Sequence, residues 1–222
     1  MTDQQHQGEE RAIRLASIVS VDVVGFSTLS ERNQRKAARI VEALRGRITR
    51  IADVHGGRLF NTAGDGFMLE FASAGAALGA VQDILDKRAR GEPRLRVGAH
   101  VGDVIVTSND DLLGHGVNVA ARLQEMAEPG SALVSAEFRS MAHASPTAAF
   151  LARGQRPLEN IEQRVQTFEI LSRRQKFARF MRRLFWIVVA IAAIAGLVYA
   201  APWLLRTYQS LAPQLSGLMR NS

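Results

Sequence analysis

Apolar and polar positions alternate or cluster along the chain in a way that predicts a compact α+β unit. Ile18, Val19, Val21, Val23 and Val24 form a β-branched run that reads as a buried strand, and Gly25-Phe26-Ser27 ends it. A helix begins near Ser30 or Glu31. Within it Ala37, Val41, Leu44, Ile48 and Ile51 recur at alternating spacings of four and three, which puts them on one face, and His55-Gly56-Gly57 stops it. Arg58 to Thr62 and Phe67 to Phe71 read as a hairpin, and an Ala- and Leu-rich helix runs from about Ser73 to Arg90. Leu95, Val97, Ala99 and Val101 alternate with Arg96, Gly98 and His100 as a half-buried strand that Val104-Ile105-Val106 continues. The resulting βαββαβ order suits a ferredoxin-like sandwich, an antiparallel sheet covered on one face. A polar loop from Thr107 to Gly116, a short helix from Val117 to about Ala127, and strands around Ala132 to Val134, Phe150-Leu151 and Thr167 to Leu171 follow.

The C-terminal stretch has a different pattern. Leu184 to Leu205 carries no charge and has about the length that crosses a bilayer core as a helix, with Trp186, Tyr199 and Trp203 towards its ends. Ala192, Gly196 and Ala200 form a ridge of small residues along which two such helices can approach. The expectation is a single transmembrane helix over 184–205, preceded by a basic juxtamembrane segment, 173–183, and followed by a short extracytoplasmic tail, 206–222. By the positive-inside rule the preceding domain, 15–172, then faces the cytoplasm of a bacterial inner membrane. Residues 1–14 read as a frayed tail without a signal peptide.

Charge narrows the partners. The chain carries a formal net charge of +7, but the eight basic residues after Ser172 more than account for it, so the domain before them is close to neutral. That is no footprint for a nucleic acid. The chain has no Cys, which removes disulfides and thiolate metal sites together and leaves oxygen or imidazole ligands, which favours Mg²⁺ or Mn²⁺.

Two carboxylates stand out against this background. Asp22 sits inside the first buried strand, where a charge needs a counter-charge or a metal, and Asp65 sits at the tip of the Asn61 to Met68 hairpin. On adjacent strands the two can hold a pair of divalent cations. Asn118 and Arg122, four apart in a helix otherwise built from Val, Ala and Leu, share a face that can grip a sugar oxygen and a phosphate.

The blocks Asp22-Val23-Val24-Gly25-Phe26-Ser27, Thr62-Ala63-Gly64-Asp65 and Gly114 through Leu123 together resemble the catalytic domain of class III adenylate and guanylate cyclases, in order and in rough separation. The resemblance covers Leu15 to Leu171. It implies that Asp22 and Asp65 bind two Mg²⁺ (or Mn²⁺) ions, that Asn118 orients the ribose, and that Arg122 neutralises charge building on the α-phosphate. It also implies a triphosphate cradled by backbone N–H groups of Val24, Gly25, Phe26 and Ser27. Because the family takes the carboxylates from one protomer and the Asn/Arg helix from the other, and this chain has one copy of each, it implies a homodimer with two equivalent sites. The product would be a 3′,5′-cyclic nucleotide, with pyrophosphate.

Base recognition departs from the family pattern at Asn61, where adenylate cyclases usually carry Lys, while Asp111 occupies the position that accepts from the adenine amine. Guanylate cyclases are expected to have Glu and Cys or Ser at these two positions, so ATP is the expected substrate and a guanylate cyclase the alternative. Glu159 stands where relatives commonly have a triphosphate-binding Lys, which opens a third reading, a weak or inactive module that uses the fold to dimerise. His100 and His115 read as structural, and Arg58, Asp103 and Asp110 as surface charges.

Overall fold

The structure, a computed structural model, describes residues 12–142, 149–158, 161–170, 181 and 184–195. The chain divides into two compact units, residues 1–173 and 174–222. In the first, strand β1 (Ile13–Val23) is the axis: it pairs antiparallel along its whole length with β4 (Leu95–Val106) on one side and with β3 (Gly66–Phe71) on the other. Adding β2 (Gly57–Ala63), β6 (Ala132–Ser135), β7 (Phe150–Leu158) and β8 (Ile161–Ile170) gives the sheet order β2-β3-β1-β4-β6-β8-β7, with the two-residue β5 (Leu112–Leu113) paired to β4. All pairs are antiparallel except β4 with β6.

Side chains at odd positions of β1 point to one face. There Val19, Val21 and Val23 meet Leu44, Ile48 and Ile51 of helix α2 (Gln34–Val54) and Leu78, Val81 and Ile84 of α3 (Ala74–Asp86), which with Phe67, Leu69 and Phe71 make the main core. A short helix α1 (Phe26–Arg32) precedes α2. Asn33 separates them because its side chain accepts from the Lys36 N–H at 2.9 Å and caps the second helix. At the even face, Ala16 and Ile18 pack with Val104, Leu112 and Ala120 under helix α4 (His115–Glu125), so the sheet is covered on both faces there and not on one as its pattern suggested. Helix α5 (Ala136–Ala142) follows β6 and buries Phe138.

Two glycines on the even face of β4 seat α4. A Cβ on Gly98 would lie 2.1 Å from the Ala120 carbonyl oxygen and 2.3 Å from the Gln124 nitrogen. One on Gly102 would lie 2.6 Å from His100 Nε2. His100, buried beside them, shares a hydrogen bond between its Nδ1 and Ser135 Oγ at 2.8 Å. Burial pushes its pKa from the ordinary 6.5 down to about 4, against the pull of the Glu137 carboxylate. The folded protein therefore keeps His100 neutral while the unfolded chain takes up a proton below pH 6.5. Its contribution is intact above that pH and falls as pH drops to about 4, a loss of about 3 kcal/mol. We expect denaturant midpoints to decline over this window in the wild type and to decline less in His100→Gln.

The expected membrane span is overturned. Among the described residues no helix is long and apolar enough to cross a membrane. The described helical residues in that stretch are 184–195. The inner-membrane location and the membrane partner fall with it. Residues 196–205, the tails at 1–11 and 206–222, most of the segment 173–183, Leu171 and Glu159 lie outside the described residues.

Candidate active site

The hairpin of β2 and β3 turns on two residues, Gly64 and Asp65, between the paired Ala63 and Gly66. Gly64 takes φ 61°, the positive value that a type II′ turn requires at its first central residue. This turn presents Asp65 at the end of β1 where Asp22 emerges. Burial, and then the facing Asp22 carboxylate, raise the Asp65 pKa above its ordinary value, while the backbone N–H groups of Asp65 and Val23 pull the other way. Two carboxylates held together in a half-buried site are a cation-binding arrangement.

Asp22 also has a counter-charge that the sequence reading overlooked. Arg96 lies directly across the β1–β4 register from it, and Arg96 Nη2 donates to Asp22 Oδ2 at 2.5 Å. Its Nη1 reaches the Glu125 carbonyl at the end of α4 at 3.5 Å. No local pattern marks this pair: β4 also carries His100 and Asp103, and Arg96 meets Asp22 only through the strand register. Among the described residues no group of three or more His, Cys, Asp or Glu is arranged to hold a metal. Cations here would thus rest on two carboxylates and on oxygens of a phosphate ligand or water, which suits Mg²⁺.

Asn61 and Asp111, fifty residues apart, meet: Asn61 Nδ2 donates to Asp111 Oδ2 at 2.7 Å. A β-bulge makes this possible. The register steps from Leu59 opposite Leu69 to Asn61 opposite Met68, so Phe60 is the extra residue and Asn61 turns to the even face, the face of Asp22. Asp111 is held from the other side. Its carboxylate accepts from the Leu112 N–H at 2.8 Å, and its backbone is tied to Thr107 by bonds of 2.9 to 3.2 Å.

On α4 the buried face is Gly116, Val119, Ala120, Leu123 and Gln124, which leaves Asn118 exposed and Arg122 half-buried on the opposite side. Arg122 Nη1 donates to both carboxylate oxygens of Glu125, at 2.9 and 2.8 Å. At the β1–α1 junction Gly25 takes φ 74°, and Phe26 and Ser27 open α1, where first-turn N–H groups lack partners within the helix. Val24 spends its N–H on the Arg94 carbonyl at 2.9 Å. The structure thus brings together Asp22 with Asp65 and Asn61 with Asp111, and sets Asn118 and Arg122 on the outward side of α4.

The sequence signature of the Adenylate and Guanylate cyclase catalytic domain matches residues 9–172. The chain belongs to this family. A protein of Rhizobium meliloti is 35% identical to the cyclase domain over 161 residues, 68% of this chain and 27% of its own length. An adenylate cyclase of Glutamicibacter nicotianae is 36% identical over 120 residues, 52% of this chain and 29% of its own. The chain thus spans roughly a quarter to a third of the length of these curated relatives. Among solved structures, an adenylate/guanylate cyclase/hydrolase from Silicibacter pomeroyi superposes with a TM-score of 0.64 at 28% identity, covering 72% of this chain and 97% of that one. The adenylyl cyclase CyaB from P. aeruginosa shares the fold, with a TM-score of 0.65 at 22% identity over 75% of this chain and 98% of its own.

Proposed function

We propose that this cyclase domain is an adenylate cyclase, converting ATP to 3′,5′-cyclic AMP and pyrophosphate at two equivalent sites of a homodimer. The observation that carries the reading is the conjunction of two pairs on one sheet face, Asp22 with Asp65 and Asn61 with Asp111. Relatives named adenylate cyclase add support.

Asp22 and Asp65 would hold Mg²⁺ or Mn²⁺, which would supply positive charge to acidify a ribose 3′-hydroxyl and to offset a triphosphate. The chain's own side chains do the rest. The 3′-oxygen gives up its proton to solvent and bonds to the α-phosphorus, and the bond from that phosphorus to the bridging oxygen of pyrophosphate breaks, so pyrophosphate leaves. Arg96, poised over Asp22, offers a guanidinium to phosphate oxygens, and the N–H groups of Gly25, Phe26 and Ser27 extend the same cradle. Arg122 from the second protomer neutralises the charge that grows on the α-phosphoryl group, and Asn118 beside it orients the ribose. Both act chiefly in the transition state.

Asp111 accepts from the adenine 6-amine while Asn61 donates to N1. Guanine offers an oxygen and an N–H at those positions, so both contacts become mismatched. Asn61 is a neutral donor, which predicts a modest preference. With Mn²⁺ and the two nucleotides assayed in parallel, cyclic AMP should form at least about tenfold faster than cyclic GMP at equal low substrate. Faster cyclic GMP formation would reverse the substrate assignment, and nucleotide binding without either product would favour the non-catalytic module.

A further inference from the structure

Asp110 is the only non-glycine with positive φ among the described residues, at 61°. A left-handed residue costs roughly 1 kcal/mol or more and persists where its surroundings fix it. Here they do so on both sides. Its N–H donates to the Thr107 carbonyl at 3.0 Å, and its carboxylate Oδ2 accepts from Arg58 Nη1 at 2.8 Å. Arg58 is itself anchored, because its Nε donates to Glu70 Oε2 at 2.8 Å, and Glu70 also pairs with Arg14. Burial opposes the Glu70 charge, but the two guanidinium groups outweigh it and hold its carboxyl below the usual range. Asp110 is the surface charge its sequence surroundings suggest, its side chain 75% exposed, and with the half-buried Arg58 it forms a brace from the β2–β3 hairpin to the 107–111 loop.

The brace ends one residue from Asp111 and starts three residues before Asn61. We propose that Arg58, fixed by Glu70, is a positioning residue for nucleobase selection: by clamping Asp110 in its left-handed conformation it sets the direction of the Asp111 carboxylate towards Asn61 and the base edge. Released from Arg58, the loop retains Thr107 as its anchor, but Asp110 is free to relax and the carboxylate loses its fixed bearing. Metal binding and the Asn118/Arg122 helix are untouched by this contact. The effect falls on which base is accepted and on the ATP KM, not on the chemical step. The inference rests on the reading of Asn61 and Asp111 as the adenine-reading pair.

The test compares kcat and KM for ATP and GTP, with Mn²⁺, in the full chain and in Arg58→Ala, Arg58→Lys and Asp111→Ala. Arg58→Ala should lower the ATP-to-GTP ratio of kcat/KM about fivefold, the size of a good partly exposed ion pair, mainly through the ATP KM. The Mn²⁺ concentration for half-activation should not move. Arg58→Lys, which keeps the charge but not the fork that spans both acids, should recover only part of the ratio. If circular dichroism shows Arg58→Ala unfolded, Asp110→Ala replaces it with the same shift expected, since Ala neither accepts from Arg58 nor favours the left-handed backbone. A ratio moved by Asp111→Ala but not by Arg58→Ala or Asp110→Ala overturns the positioning role and leaves base reading intact. A ratio unmoved by all of them overturns both.

Discussion

Mixing Asp65→Ala with Arg122→Ala, each inactive alone, should restore about a quarter of the wild-type cyclase rate. Removing Asp65 takes one of the two carboxylates from the proposed cation site, an expected loss of several kcal/mol in transition-state stabilisation, or at least about a thousandfold. Removing Arg122 takes the charge that answers the α-phosphoryl group, about 10² to 10³-fold. In the proposed two-fold dimer each site draws the acids from one protomer and the guanidinium from the other. A mixed dimer thus concentrates both lesions in one site and leaves the other whole. In an equal mixture about half the dimers are mixed and each carries one working site of two, hence about a quarter. Size-exclusion chromatography of differently tagged chains reports whether subunits exchange. Exchange without recovered activity would place all the groups in one protomer and end the shared-site proposal.

Sequence patterning carried the main elements because their periodicities are strong. The four-three spacing from Ala37 to Ile51 marks the buried face of α2, and the β-branched run around Asp22 marks β1, the strand between β3 and β4. Asp22 and Asp65 were legible as a pair because a carboxylate in a buried strand and another on a glycine turn both ask for a partner. What escaped was non-local. Simple alternation from Arg58 puts Asn61 on the opposite face from Arg58, and only the bulge at Phe60 returns it to Asp111. Arg96 and Asp22 face each other through a register that no local window contains. Asp110 looks like an ordinary loop acid until its φ is seen. The uncharged stretch after Arg183 misled for a related reason: hydropathy gives a length of apolar chain, and among the described residues no helix long and apolar enough to cross a membrane is formed from it.

Gly98→Ala should reduce cyclase activity about a hundredfold while the domain stays folded. The added methyl would sit 2.1 Å from the Ala120 carbonyl oxygen, 2.3 Å from the Gln124 nitrogen and 2.9 Å from the Gln124 Cα, all backbone atoms of α4 that no rotamer change can move aside. Either β4 or α4 must yield by more than 1 Å. β4 is paired with β1 over eleven positions and with β6 beyond it, whereas α4 rests on the sheet through small residues, Gly116 and Ala120 among them, so α4 moves. Asn118 and Arg122 ride on that helix, and a displacement of about 1 Å in a positioning group costs on the order of 10² in rate. Overpacking adds about 1 to 3 kcal/mol of lost stability, enough to lower the melting temperature without abolishing the fold. The loss should appear in kcat, with the Mn²⁺ dependence that the proposal assigns to Asp22 and Asp65 unchanged. Wild-type kcat in a folded Gly98→Ala protein would show that the seat of α4 on β4 does not set the position of the groups that act on the phosphate.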